Sequence, residues 1–237
     1  MNILKFTFFF SFCLLSINNL EGQNKITLVT YKMTLNTQQL NDSIEPTIKN
    51  RVKLMAAGAE FIECELKFNN KKGMFKQVVK MEVDINPISY KLASVLVRGN
   101  FYKSIEDSTK TLNKEFSGKT YNISLPFDES HWIITKDTKR INDYLCYKAM
   151  MYSGSKKKIE TIAWFTPEVP VPFGPNGIDG LPGLVLETEV NGLVFYATRV
   201  REDKTNGDIE KPMANEEISE EEFLEMVKSK TSYIFER

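Results

Sequence analysis

The 237-residue sequence has one histidine, three cysteines and no excess of either charge. A single imidazole supplies neither the ligand set of a usual zinc site nor, alone, a serine–histidine–aspartate relay. We interpret this residue, His131, as a strand-end residue beside Trp132, and we expect no metal and no other cofactor. Lysine and arginine (31) balance aspartate and glutamate (31), so no overall positive field favours nucleic acid as a partner.

Long apolar runs are also scarce. Residues 6–17 form an apolar run after Lys5, and this run is too short to span a bilayer but is typical of a secretory signal. We therefore expect residues 1–22 to be a signal peptide and the mature chain to begin near Gln23. No other window approaches about 18 apolar residues, so we expect no transmembrane segment in the mature chain.

Whether the cysteines can form a disulfide depends on whether the chain is exported. Cys13 lies in the predicted signal peptide, which leaves Cys64 and Cys146. Apolar and polar residues alternate over 61–68 and place Cys64 on the inward face of a predicted strand. An oxidising compartment permits a disulfide between the two remaining cysteines. Two buried free thiols are the alternative, and both stay open at this point.

Hydrophobic periodicity indicates a mainly β protein of the α+β class. Alternation and β-branched residues predict a strand at 25–33 and a hairpin over 61–83. Residues 44–57 carry apolar residues near helical spacing, with Ser43 available as N-cap, and predict a helix. Periodicity does not distinguish a helix from a strand at 87–99.

From residue 100 onward, short apolar runs alternate with clusters of turn residues. This spacing is typical of consecutive β-hairpins, and Asn191-Gly192 is a preferred two-residue hairpin turn. Residues 216–230 have early acids, late lysines and one apolar side, which predicts an amphipathic helix. We therefore expect a curved antiparallel sheet of consecutive hairpins with one N-terminal and one C-terminal helix, in a single domain over 23–237.

The stretch 163–187, AWFTPEVPVPFGPNGIDGLPGLVLE, contains a long connection. Five of the nine prolines and four of the twelve glycines lie between Thr166 and Gly183, and a loop of this length is uncommon unless it serves a purpose. Its Leu-Pro-Gly-Leu segment fits a type II turn with positive φ at Gly183, and Gly-Pro-Asn-Gly (174–177) can form another turn. We expect a stiff loop closing over one end of the sheet, either as a rigid lid or as a pre-organised contact site.

Residues 141–150, INDYLCYKAM, followed by this loop segment, resemble the GLPGLI family of exported proteins from Gram-negative bacteria. The family motif is similar to Gly180–Val185, with Val185 in place of isoleucine, and the flanking matches are Tyr144, Cys146, Lys148, Ala149, Trp164, Pro170, Gly174 and Pro175. Phe165 stands where tyrosine is more usual. The resemblance implies a periplasmic or outer-membrane-associated protein without established enzymatic activity, considered alongside outer-membrane transport proteins.

Three functions follow as hypotheses. The first is a non-enzymatic envelope protein that binds a ligand or a partner, such as an outer-membrane transport protein, through the loop. Its candidate contact residues are Trp164, Pro175, Gly180, Leu181, Pro182 and Gly183. The alternative is a periplasmic carrier that encloses a lipid or other hydrophobic molecule between the curved sheet and a covering helix. A further alternative is a hydrolase, which requires two close carboxylates in a cleft, one with a perturbed pKa.

Overall fold

Twelve strands form one sheet. A computed structural model of the chain describes residues 25–38, 44–79, 86–127, 131–153, 158–203 and 208–235, and the predicted signal peptide and Ser43 lie outside these ranges. The strands are β1 (Ile26–Leu35), β2 (Glu63–Phe68), β3 (Lys72–Val78), β4 (Asn100–Ser104), β5 (Thr109–Phe116), β6 (Lys119–Ser124), β7 (Ile133–Ile141), β8 (Tyr144–Ser153), β9 (Lys158–Thr166), β10 (Leu184–Val190), β11 (Leu193–Asp203) and β12 (Glu216–Ser219). The predicted mainly β class is confirmed.

Strand order follows two runs of consecutive hairpins. The order is β12-β6-β5-β4-β3-β2-β1-β11-β10-β9-β8-β7, and antiparallel pairing of β1 with β11 joins the two runs. The connection from β6 to β7 therefore leads from one half of the sheet to the far edge of the other. The predicted antiparallel arrangement has one exception, because β12 pairs in parallel with β6.

One face of the sheet carries the main hydrophobic core. Residues that stand opposite one another across six neighbouring strands are all buried and apolar, namely Val29, Leu66, Phe75, Phe101, Leu112 and Ile123. We call this side the core face. Cross-strand contacts of this kind hold a sheet together, and the ring of Phe75 meets the ring of Phe195 edge-to-face at 6.1 Å.

Among the residues that the structure describes, three α-helices accompany the sheet, namely α1 (Pro46–Ala59), α2 (Pro87–Ser94) and α3 (Glu220–Phe235). The first confirms the predicted helix, with proline in its first turn and no side-chain cap from the preceding residue. The second decides the ambiguous segment 87–99 in favour of a helix, because the Asn86 side chain accepts a hydrogen bond from the backbone of Ile88 at 2.8 Å. An added Cβ on Gly58 would lie 2.0 Å from the Ser89 carbonyl oxygen, so glycine allows α1 and α2 to pack closely.

The C-terminal helix begins later than predicted. We expected a helix from residue 216, but Glu216–Ser219 form β12. Ser219 and Glu222 then make a capping box, in which Glu222 donates its backbone N–H to the serine hydroxyl at 3.2 Å and accepts from the serine N–H at 2.7 Å. The open edge of β6 and this box together fix the start of α3. Phe223 then packs against Phe116 at 5.6 Å.

The two cysteines are separate free thiols, and both are buried. β1, β11, β10 and β9 lie between the strands that carry Cys64 and Cys146. The predicted inward orientation of Cys64 is confirmed, since only 1% of this residue is exposed. The structure therefore contains the free-thiol alternative and not the disulfide. Burial raises the pKa of Cys64 to about 12 and that of Cys146 to about 11.

Candidate functional site

The loop between β9 and β10 crosses the core face. Its Phe173 carbonyl accepts a hydrogen bond from the Val185 N–H at 2.9 Å, and its Val169 carbonyl accepts from the Leu184 N–H at 2.9 Å. The Phe173 ring lies 5.8 Å from the ring of Phe68. The loop is therefore held to the sheet by both backbone and side chain, which agrees with the stiff closure predicted from its prolines and glycines.

The predicted type II turn in the GLPG motif is wrong. Gly183 does not have a positive φ, and its N–H donates to the Leu181 carbonyl at 2.8 Å, spanning two residues instead of three. Glycine is needed here for a different reason, because an added Cβ would lie 2.2 Å from the carbonyl oxygen of Thr166. The positive φ in this motif belongs to Gly180, at +85°.

The second predicted turn, at 174–177, is present and contributes Asn176 to the wall of a cavity described below. Pro175–Gly177 form a single 3-10 turn in which Asn176 has φ of +51°. The Asn176 side chain accepts from the Arg98 backbone N–H at 3.0 Å and donates to the Leu96 carbonyl at 3.4 Å. This amide therefore ties the segment that follows α2 to the loop, and both of its polar groups are used.

A buried ion cluster fastens the loop beyond this turn. Asp179 accepts from Lys103 at 3.2 Å and from Lys110 at 2.9 Å, and all three side chains are at most 11% exposed. Lys110 also donates to the Gly177 carbonyl at 3.1 Å, and Trp132 donates to the Asp179 carbonyl at 2.9 Å. Two cations share one carboxylate, so Asp179 is placed as an ion-pair anchor of the loop.

The loop and the sheet line a half-open cavity of about 350 Å³. Its floor is the end of the β10–β11 hairpin and of β1, and its walls come from the 3-10 turn and the segment after α2. The lining residues are Leu35, Leu96, Arg98, Asn176, Ile178, Thr188, Val190, Asn191, Leu193 and Phe195. Pockets for small molecules are concave and mostly apolar, with a few polar groups that fix orientation. This cavity is therefore the candidate functional site.

The predicted contact residues do not form one surface. Pro175, Leu181 and Gly183 are buried, Gly180 and Pro182 are exposed, and Trp164 is half-buried, as the burial pattern of the chain shows. Leu181 packs in a small separate cluster with Phe165 and Val185. None of the six lines the cavity, and a binding role for them stays a prediction.

Residues that the sequence did not single out build the cavity instead. Its lining comes from four separate stretches of chain, near residue 35 and at 96–98, 176–178 and 188–195. Only the Asn-Gly hairpin turn and the Gly-Pro-Asn-Gly turn gave a local signal. The convergence of Leu35, Leu96 and Arg98 depends on tertiary packing, and no motif marks them.

Within the described ranges, no group of three or more His, Cys, Asp or Glu side chains is placed to hold a metal ion. The described helices include none that is both long and apolar enough to cross a membrane.

Tyr31 is fully buried and donates its hydroxyl to the Val185 carbonyl, and burial raises the pKa of this phenol.

Comparison with known proteins finds a family model that matches part of the chain around the loop. A family model described as a protein of unknown function (Porph_ging) matches residues 153–187, which contain the loop and the GLPGLV motif. The match covers less than half of the chain and carries a different name from the GLPGLI resemblance. No curated protein matches the chain.

Among solved structures, two crystal forms of PNGF-II are similar in fold. They give TM-scores of 0.56 and 0.55 at 16% identity over 85% and 86% of this chain. The chain spans about a third of PNGF-II, 33% and 32% of its length. A domain described as an outer membrane lipoprotein-sorting protein from Vibrio parahaemolyticus gives a TM-score of only 0.25 at 8% identity, over 81% of this chain and 89% of that domain. The likeness to PNGF-II therefore concerns the fold, and the last comparison supports no argument.

Proposed function

We propose that the protein is an exported, non-enzymatic envelope protein that binds a small hydrophobic molecule in the cavity under the loop. The main support for this proposal is the cavity of about 350 Å³ with its mostly apolar lining. Its volume falls within the range of about 300–1,000 Å³ that is common for ligand sites. Export is supported by Lys5 and the apolar run 6–17.

Partner binding through the loop has weaker support. The apolar side chains of Val171, Phe173 and Leu181 are at most 5% exposed, so they are unavailable to a partner in this conformation. Association with an outer-membrane transport protein therefore rests on the sequence resemblance. For a hydrolase, the buried carboxylate of Asp179 is a poor candidate acid, because two lysines hold it.

The test uses N-phenyl-1-naphthylamine, a neutral apolar fluorophore that brightens in apolar surroundings. We expect saturable binding to the wild-type protein with one site per chain. Val190 lines the cavity and is half-buried, so Val190→Phe should fill part of the space and weaken binding at least tenfold. The matched control is Val79→Phe, because Val79 is 78% exposed and does not line the cavity.

Two results would contradict the proposal. One is the absence of saturable fluorescence with a wild-type protein that unfolds cooperatively. The other is equal binding by Val190→Phe and the wild type, which would place the fluorophore elsewhere. If Val190→Phe does not fold, Leu35→Trp fills the cavity from β1 and is measured in the same way.

A further inference from the structure

We propose that the ligand of this cavity is an anionic amphiphile, a molecule with one apolar chain inside the cavity and a carboxylate or phosphate head at Arg98. This inference rests on the proposed function and adds the charge and shape of the ligand. It follows from how the polar groups at the cavity are placed and paired.

The lining of the cavity is mostly apolar, and its four polar members are Arg98, Asn176, Thr188 and Asn191. Six of its lining residues are aliphatic or aromatic, namely Leu35, Leu96, Ile178, Val190, Leu193 and Phe195. The Asn176 amide is occupied by the backbone at Leu96 and Arg98. Arg98 is the one charged residue of the lining and is exposed to solvent. A ligand in this cavity would have an apolar part against the sheet and a guanidinium at its open end.

Arg98 has no acidic partner in the described part of the chain. Its guanidinium lies 5.5 Å from the centre of the Phe101 ring, and it belongs to none of the ion pairs formed among those residues. The ring positions the group without neutralising it. All five guanidinium N–H donors remain available for an oxyanion, with which arginine forms paired hydrogen bonds.

Lys114 is a second positively charged residue near Arg98. An added Cβ on Gly99, the neighbour of Arg98, would lie 3.5 Å from the Cβ of Lys114, and Lys114 shares the core face with Leu112. Lys114 also makes no ion pair among the described residues. Burial and then the positive charge of Arg98 lower the pKa of Lys114. An anion at the open end would relieve this repulsion.

The size of the cavity limits the apolar part. An engineered cavity of about 150 Å³ holds one benzene molecule, and this cavity has about 350 Å³. It therefore holds roughly twice that volume, which suits one medium-length chain and excludes a complete two-chain lipid. The mouth beside Arg98 leaves the head group in water.

The experiment measures displacement of N-phenyl-1-naphthylamine by three probes of equal chain length, used below their critical micelle concentrations. These are dodecanoate, dodecyl phosphate and dodecyltrimethylammonium. We expect each anion to displace the fluorophore at a concentration about tenfold or more below that of the cation, since a charge-assisted contact has this magnitude. Arg98→Gln should reduce the anion-to-cation preference about tenfold, and Arg98→Glu should reverse it. Arg51→Gln is the matched control, because Arg51 is exposed on α1 and lies outside the cavity lining.

The outcomes separate this inference from the function on which it rests. If the fluorophore binds but dodecyltrimethylammonium competes as well as the anions, the anionic head is refuted and the hydrophobic site stands. An unchanged preference in Arg98→Gln and Arg98→Glu refutes the role of Arg98. If the fluorophore does not bind at all, both proposals fail. If one anion displaces the fluorophore at a concentration about tenfold below that of the cation and of the other anion, the inference is supported and that anion identifies the head group. If both anions compete equally well and better than the cation, the inference is supported for a carboxylate and a phosphate head alike.

Discussion

Replacing Asp179 by asparagine removes the carboxylate that Lys103 and Lys110 share in the buried cluster under the loop. The cluster then changes from two positive charges and one negative charge to two positive charges alone. Removing one partner from a buried ion pair costs about 3–5 kcal/mol, because the remaining charge is left uncompensated. For a domain of about 150–250 residues, each kcal/mol lowers Tm by about 2–4 °C. We therefore expect Tm to fall by about 10 °C.

The matched variant removes a cation from the same cluster. Lys110→Met leaves Lys103 paired with Asp179, so the charges of the cluster stay balanced. It removes the contact of Lys110 with Asp179 and its hydrogen bond to the Gly177 carbonyl, which should cost about 1.5–3 kcal/mol. The exposed pair Lys71–Glu106 gives the baseline, since a solvent-exposed ion pair contributes little to stability and Lys71→Met should be the mildest of the three changes.

Urea unfolding followed by fluorescence gives the three free energies, with an unchanged m-value as evidence that the folded states are comparable. The expected order of destabilisation is Asp179→Asn, then Lys110→Met, then Lys71→Met. The reasoning is refuted if Asp179→Asn stays within about 1 kcal/mol of wild type, or if Lys110→Met is the more damaging change.

Two further predictions concern the loop turn and the thiols. Gly183→Ala should destabilise the protein by about 2 kcal/mol or more in the same urea assay, because the added Cβ would meet the Thr166 carbonyl. The control is Pro182→Ala at the exposed neighbour, which should cost about 1 kcal/mol at most. Equal effects of the two changes would contradict the close approach of the Thr166 backbone as the reason for glycine. Cys64 and Cys146 should be alkylated by iodoacetamide only after unfolding, as read by peptide mass spectrometry. Because their folded pKa values are raised to about 12 and 11, the two thiols should not change the free energy of unfolding below the ordinary thiol pKa of about 8.5, and they should lower it as the pH rises above that value.

Most of the sheet could be predicted from local patterns. Alternation placed Cys64 on the inside, and the Asn191-Gly192 turn marked the hairpin of β10 and β11. Such patterns work because side chains alternate between the two faces of a strand. They predicted the strands in order but not the pairing of β1 with β11, which joins residues as far apart in sequence as Ile26 and Asp203.

The errors arise where tertiary contacts override local preference. Residues 216–219 have the charge pattern of a helix start, yet they add to the edge of β6 as β12. Gly183 was assigned to a positive φ from its place after proline, whereas the backbone of Thr166 passes too close for any side chain. The cavity was missed for the same reason, because separate segments meet there, and the two turn motifs among them indicate local turns but not a cavity.

The most direct test of ligand binding in the cavity is native mass spectrometry of the tagged protein recovered from gently solubilised cell envelopes. We expect one bound small molecule per chain, in the mass range of a single-chain amphiphile, on the wild-type protein and on Val79→Phe but not on Val190→Phe. A protein without added mass, or one recovered in fixed stoichiometry with a transport protein and no small molecule, would contradict ligand binding in the cavity.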